Sequence, residues 1–107
     1  MANEGAFLGT ELKFKIVIEA QGFSMTDNDF TVEIVRGSKR KMFAKSELIN
    51  DGEGNYYVCF DTAEFGAGSI YAIVTAFVPD SDFPDMLRTE VQEVNLLTIK
   101  NPRPIIF

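Results

Sequence analysis

Apolar and polar residues alternate with a period of two along most of this chain. In ELKFKIVIEA, Leu12, Phe14, Ile16, Ile18 and Ala20 fall on one side and Glu11, Lys13, Lys15 and Glu19 on the other. That pattern predicts a long strand with one face in water. FTVEIVRG repeats it, with Phe30, Val32 and Ile34 set against Thr31 and Glu33, and Gly37-Ser38 supplies a turn into a short basic strand, KRKMF. NYYVCFD places Tyr56, Val58 and Phe60 together. SIYAIVTAFV is apolar on both faces, as expected of a strand that is central in its sheet or roofed by a partner. In RTEVQEVNLLTIK the alternation slips from Thr89, Val91, Glu93 to Val94, Leu96, Thr98, and a β-bulge near Glu93 would account for the slip.

The connections between these stretches read as turns. QGFSMTDND is loop-like, AKSELINDGEGN is a turn of helix or an irregular link, TAEFGAG is a Gly-rich bend and PDSDFPDM is a loop held by Pro79 and Pro84. No amphipathic helix of useful length appears. The expected fold is therefore all-β, an antiparallel β-sandwich of immunoglobulin-like kind with six to seven strands. At 107 residues the chain makes one domain with one core. Its division is an amino-terminal arm over 1–10, the sandwich over 11–100 and a carboxy-terminal apolar arm over 101–107.

Composition agrees with strands, with ten Phe, three Tyr and many Ile and Val. A formal charge of −6 speaks against nucleic acid as a partner. The cations are unevenly placed, however. Arg36, Lys39, Arg40, Lys41 and Lys45 fall in one window of ten residues that holds no acid. The plain reading is a solvated basic hairpin that discourages edge pairing, and the functional one is a patch formed by Arg36, Lys39, Arg40 and Lys41 that docks on an acidic neighbour. MANEGAFLGT has neither the cationic nor the apolar region of a signal peptide, and no stretch has the length of a spanning helix, so neither classical export nor membrane insertion is expected.

Candidate chemistry is sparse. The chain has no His, which removes Ser-His-Asp and Cys-His nucleophilic sites and the usual His-containing metal sets. Cys59 stands alone, so no intrachain disulfide forms, and its place among Tyr57 and Phe60 suggests a small buried apolar residue. Asp27 and Asp29, and Asp80, Asp82 and Asp85, form two acidic loops. Counting from Asp27 or Asp80, the sixth residue is Val32 or Asp85 rather than the Gly of a helix-loop-helix calcium loop. No catalytic residue, metal ligand or cofactor is assigned.

The run from Asn55 to Val91 adds a resemblance. Gly54-Asn55-Tyr56 opening a strand, a Phe60-Asp61-Thr62 turn, a Gly66-Ala67-Gly68 turn and the long apolar SIYAIVTAFV resemble small β-sandwich virion structural proteins of phages and prophages of Bacteroidales, of the crAss-like type. The order of strand, acidic loop and hairpin is also similar to the amino-terminal sandwich of phage baseplate proteins. The likeness covers roughly Glu11 to Thr98. It implies a non-enzymatic head-fibre, head–tail-junction or tail accessory subunit, made in the host cytoplasm, residing in the virion and packing oligomerically against other virion proteins or copies of itself. An alternative on the same frame is a carbohydrate- or cell-surface-binding module that stacks Tyr56, Tyr57 and Tyr71 on sugars.

The last residues fit the packing reading, the alternative being that Phe107 folds back to cover an edge of its own sandwich. In NPRPIIF two prolines stiffen a stalk that ends in Ile105, Ile106 and Phe107, three apolar residues beyond a core that closes at Ile99. Buried in a neighbour, each could contribute about 1.5–3 kcal/mol before ordering costs.

Overall fold

The structure, a computed structural model, describes residues 5–102. The expected contacts of Ile105, Ile106 and Phe107 lie outside that span. Eight strands follow in order: β1 (Gly5–Phe7), β2 (Glu11–Ile16), β3 (Phe30–Arg36), β4 (Lys39–Ala44), β5 (Ile49–Asn50), β6 (Tyr56–Asp61), β7 (Gly68–Pro79) and β8 (Leu87–Lys100). Single turns of 3-10 helix at Lys45–Glu47 and Thr62–Glu64 are the only helical pieces among the described residues. No helix is long and apolar enough to cross a membrane.

The strands form two facing sheets, one ordered β1-β8-β7-β3-β4 and the other β2-β6-β5. All pairings are antiparallel except β1 with β8, which run parallel from Gly5 opposite Thr98 to Phe7 opposite Lys100. This is the strand distribution of an immunoglobulin-like sandwich, with a first strand that has crossed to the sheet of the last. The two strands not foreseen, β1 and β5, have three and two residues, too few to carry a period. The stretch 1–10, expected as an arm, thus contributes Gly5–Phe7 to the larger sheet.

The alternating residues build the core as expected. Phe30, Val32 and Ile34 of β3 are fully buried, facing Tyr56, Val58 and Phe60 of β6, and Ile70, Ala72, Ala76 and Val78 of β7 join them. Rings meet edge to face, Phe30 on Tyr56 at 5.5 Å and Phe60 on Phe65 at 5.4 Å, a geometry that adds about 0.5–1.5 kcal/mol per pair beyond burial. β7 is the middle strand of its sheet, which explains why it is apolar on both faces. The long strand expected from Leu12 to Ala20 leaves its ladder after Ile16, although Ile18 and Ala20 still pack on the core.

Two details depart from the pattern. The register of β7 with β8 shifts between Ile70, opposite Leu97, and Tyr71, opposite Asn95, so the extra residue is Leu96 rather than Glu93. Cys59 is exposed. It lies opposite Lys13 on the outer face of the smaller sheet, the wet face of an alternation whose Val58 and Phe60 point inward.

Thr62 ties the β1–β2 turn to the core. It is fully buried, its Oγ1 accepts from Gly9 N at 2.9 Å and donates to Thr10 O at 2.8 Å. Thr62→Val keeps the shape and leaves the Gly9 amide without that acceptor. The expected loss is about 1–3 kcal/mol in urea unfolding, with Thr62→Ser retaining most of the stability. Equal stabilities for the wild type and Thr62→Val would show that water replaces the bond.

Candidate interface: the basic hairpin, the open edge and the cleft

The basic residues divide once they are placed. Arg36 at the end of β3 donates from Nε to Phe65 O at 2.7 Å and lies across Gly66 and Gly68. Gly68 has φ +134, and a Cβ there would stand 2.9 Å from Arg36 Cδ, so the guanidinium packs against bare backbone. Arg40 pairs with Glu33 at 3.0 Å and Lys41 with Glu64 at 2.9 Å. Such exposed pairs contribute little to stability, but they neutralise half of the patch. Lys39 makes no ion pair among the described residues. Lys45 donates to Thr26 O at 2.9 Å and Asn28 O at 2.8 Å while lying over the rings of Phe30 and Tyr56. It fastens the loop before β3 onto the core.

The acidic loops also satisfy themselves. Asp29 Oδ1 accepts from Phe30 N, Asp80 Oδ1 accepts from Asp82 N at 3.0 Å, and Arg88 bridges Asp80 and Glu90. Among the described residues no three of His, Cys, Asp and Glu converge as a metal site would require. The Asp82 amide and the Arg88 guanidinium hold the Asp80 carboxyl below its ordinary value of 3.8, and the Asn55 side chain does the same for Asp51.

The tyrosines are not a common platform. Tyr56 is buried in the core, Tyr57 lies on the outer face of the smaller sheet with Lys13 Nζ 4.6 Å from its ring centre, and Tyr71 sits on the outer face of the larger sheet. The sequence reading did not separate these three faces, because adjacent residues of one strand always diverge.

The pattern missed the most conspicuous surface. β7 and β8 form a ribbon of twelve and fourteen residues, and among the described residues only Thr98–Lys100 of β8 have a second neighbour, β1. From Leu87 to Leu97 the far side of β8 is an unpaired strand edge among the described residues. Leu87, Val91 and Val94 are exposed along it, and Phe83 and Met86 are exposed at the ribbon's tip. Among the described residues β2 is likewise unpaired on the side away from β6. Between the two open edges lies an apolar cleft of 210 Å³, lined by Phe14, Ile16, Val17, Val74, Val94 and Leu96 among others. It continues into a 240 Å³ hollow beside Glu19, Glu90 and Val91.

Comparison with protein-family models and with curated proteins finds no match. Among solved structures, this chain is similar to a protein of Bacteroides vulgatus described as a "putative glycoside hydrolase", with a TM-score of 0.50 and 15% identity over 94% of this chain and 17% of that one. At that identity the likeness shows the fold alone. The chain spans 17% of that protein's length.

Two outcomes are expected of the charged contacts. Lys45→Met should unfold at lower urea, by about 1–3 kcal/mol, because two carbonyls lose a charged donor. Unchanged stability would show that Lys45 is a surface bystander. Asp80, with its pKa lowered in the native state, contributes stability that is complete above its ordinary 3.8 and lost as pH falls through the lower native value. Asp80→Asn should therefore flatten the acid limb of the stability–pH curve below pH 3.8, and a parallel curve would contradict that assignment.

Proposed function

We propose that this chain is a non-enzymatic structural subunit of a bacteriophage particle, a head-fibre, head–tail-junction or tail accessory protein that acts by packing against other proteins. One observation carries the packing role: the unpaired edge of β8 with Leu87, Val91 and Val94 exposed along it. Isolated β proteins commonly blunt such an edge by shortening, twisting or covering it. Here Arg88, Glu90 and Glu93 supply charge, yet Arg88 and Glu90 are paired with each other. A strand edge of this length suits addition of a partner's strand, in which backbone hydrogen bonds supply affinity and alternate side chains supply selectivity. The placement in a phage particle rests on the resemblance of the Asn55–Val91 run.

The lack of His and the absence, among the described residues, of converging acids favour a packing role over catalysis. Arg36, Arg40 and Lys41 stand as interface candidates only in part, since each is already engaged within the chain. Lys39 is the freer cation.

A second reading is a carbohydrate- or cell-surface-binding module. It draws on the half-buried Tyr71, Ile73 and Phe77 on the open face of the larger sheet, and on the likeness to part of a protein described as a glycoside hydrolase.

Gradient-purified particles from the strain that encodes the chain should contain it at a constant ratio to the major capsid protein across the particle peak, measured by quantitative mass spectrometry. Presence in the lysate with absence from the particles would overturn the virion role. Binding on a glycan array, abolished by Tyr71→Ala, would move the assignment to the second reading.

A further inference from the structure

We infer that the free edge of β8 is a dimerisation strand, in which Leu87–Val91 pairs antiparallel with the same residues of a second copy of this chain about a two-fold axis at Thr89. The inference rests on the reading of the chain as a packing module and names its partner.

An unpaired edge offers its backbone groups to any strand, and its side chains decide which one fits. On β8 the two faces are distinct. Arg88, Glu90 and Gln92 lie opposite Val78, Ala76 and Val74 on the core side of the ribbon, while Leu87, Thr89 and Val91 lie opposite Pro79, Phe77 and Thr75 on the outer side. Two copies of one edge join antiparallel about an axis normal to the sheet, which brings core side to core side and outer side to outer side. The axis therefore passes beside a residue rather than between two, since a shift of one residue would exchange the faces.

Leu87-Arg88-Thr89-Glu90-Val91 is complementary to its own reversal. With the axis at Thr89, each Arg88 stands opposite the Glu90 of the other copy, each Leu87 opposite Val91, and the two threonines meet. Opposite charges, aliphatic pairs and paired threonines are the favourable cross-strand contacts. On the core side the four charges then alternate in sign around a rectangle. Within one chain Arg88 donates to Glu90 Oε2 from Nε at 3.1 Å and from Nη2 at 2.7 Å, and Asp80 holds the guanidinium from its other side. The second copy's Arg88 approaches the same carboxylate across the new ladder.

Other registers lose this match. An axis at Arg88, Glu90 or Glu93 sets like charges face to face. At Val91 it puts Arg88 against Val94, at Gln92 it puts Glu90 against Val94, and from Val94 onward the ladder crosses the irregularity at Leu96. Met86, with φ 61, turns the chain back toward Asp80, whose amide donates to Met86 O at 2.9 Å, so the ladder ends at Leu87. A ladder this short makes a dimer that forms at high protein concentration.

The test uses the full chain. In light scattering the mass of the wild type should rise with concentration from the 12.0 kDa of one chain toward twice that value. Arg88→Glu and Glu90→Arg each set like charges opposite one another, and each alone should dimerise at least about tenfold more weakly. Their equimolar mixture should recover a 1:1 heterodimer, because each variant then meets the opposite sign on the other. If Arg88→Glu loses its fold along with the Asp80 contact, cross-linking decides. In a Cys59→Ser background, Thr89→Cys lies on the axis and should form a disulfide dimer under mild oxidation. Val91→Cys should not, because the two copies of that position stand four residues apart along the ladder, about 13 Å, beyond the reach of a disulfide. A wild type that stays monomeric overturns the inference, as does a mixture without heterodimer or cross-linking at Val91 as fast as at Thr89. None of these results touches the particle measurement above, which can succeed with a different protein on this edge.

Discussion

The constraint on which the rest of the structure depends is a mismatch of length between two sheets. β7 carries the larger sheet, paired with β3 on one side and β8 on the other, and extends over twelve residues. The sheet that covers it is built on six-residue strands, β2 and β6. A short sheet cannot roof a long one. The core centres where both are present, around Phe30, Val32, Ile34, Val58 and Phe60, and extends to Ala76 and Val78, with Ile18, Ala20 and Phe23 of the segment after β2 packed on it. Beyond it the ribbon continues with one edge bare.

That mismatch organises the polar features too. On the core side of the ribbon β8 carries Arg88, Glu90 and Gln92 opposite Val78, Ala76 and Val74, and it turns apolar at Val94, Leu97 and Ile99. Arg88 links Asp80 across the hairpin to Glu90 and stiffens the ribbon near its tip. At the other end Arg36, laid over Gly66 and Gly68, and Thr62, bonded to Gly9 and Thr10, hold the turns that connect the sheets. The fixed end and the free end are thus distinct, and the unpaired edge lies toward the free one.

Much of this fold was legible in the sequence because alternation is a local record of which face is wet. Leu12, Phe14 and Ile16, then Phe30, Val32 and Ile34, then Tyr56, Val58 and Phe60, all point where the pattern placed them. The misreadings have physical causes. Cys59 sits among aromatic neighbours in sequence, yet adjacent strand residues face opposite ways, and Cys59 faces out. In β8 the bulge was expected near Glu93 because Val91 and Val94 lie out of phase, yet they face opposite sides of a continuous ladder and the irregularity falls at Leu96. Clustering in sequence also overstated the basic patch: Arg36, Arg40 and Lys41 point to different partners, Phe65 O, Glu33 and Glu64, which only the folded chain brings near. The cleft between β2 and β8 could not be read at all, since pairing order decides which edges are left open.

In the proposed packing role the chain acts through its edges, and the edge of β8 is where that proposal meets its test. The most direct measurement is hydrogen exchange of the backbone amides from Leu87 to Leu97, followed from dilute to concentrated solution of the full chain. The account predicts that amides facing away from β7 gain protection as copies associate, while β3, already paired on both sides, does not change. Association without added protection on β8, or protection confined to the Lys39–Lys41 hairpin, would contradict it.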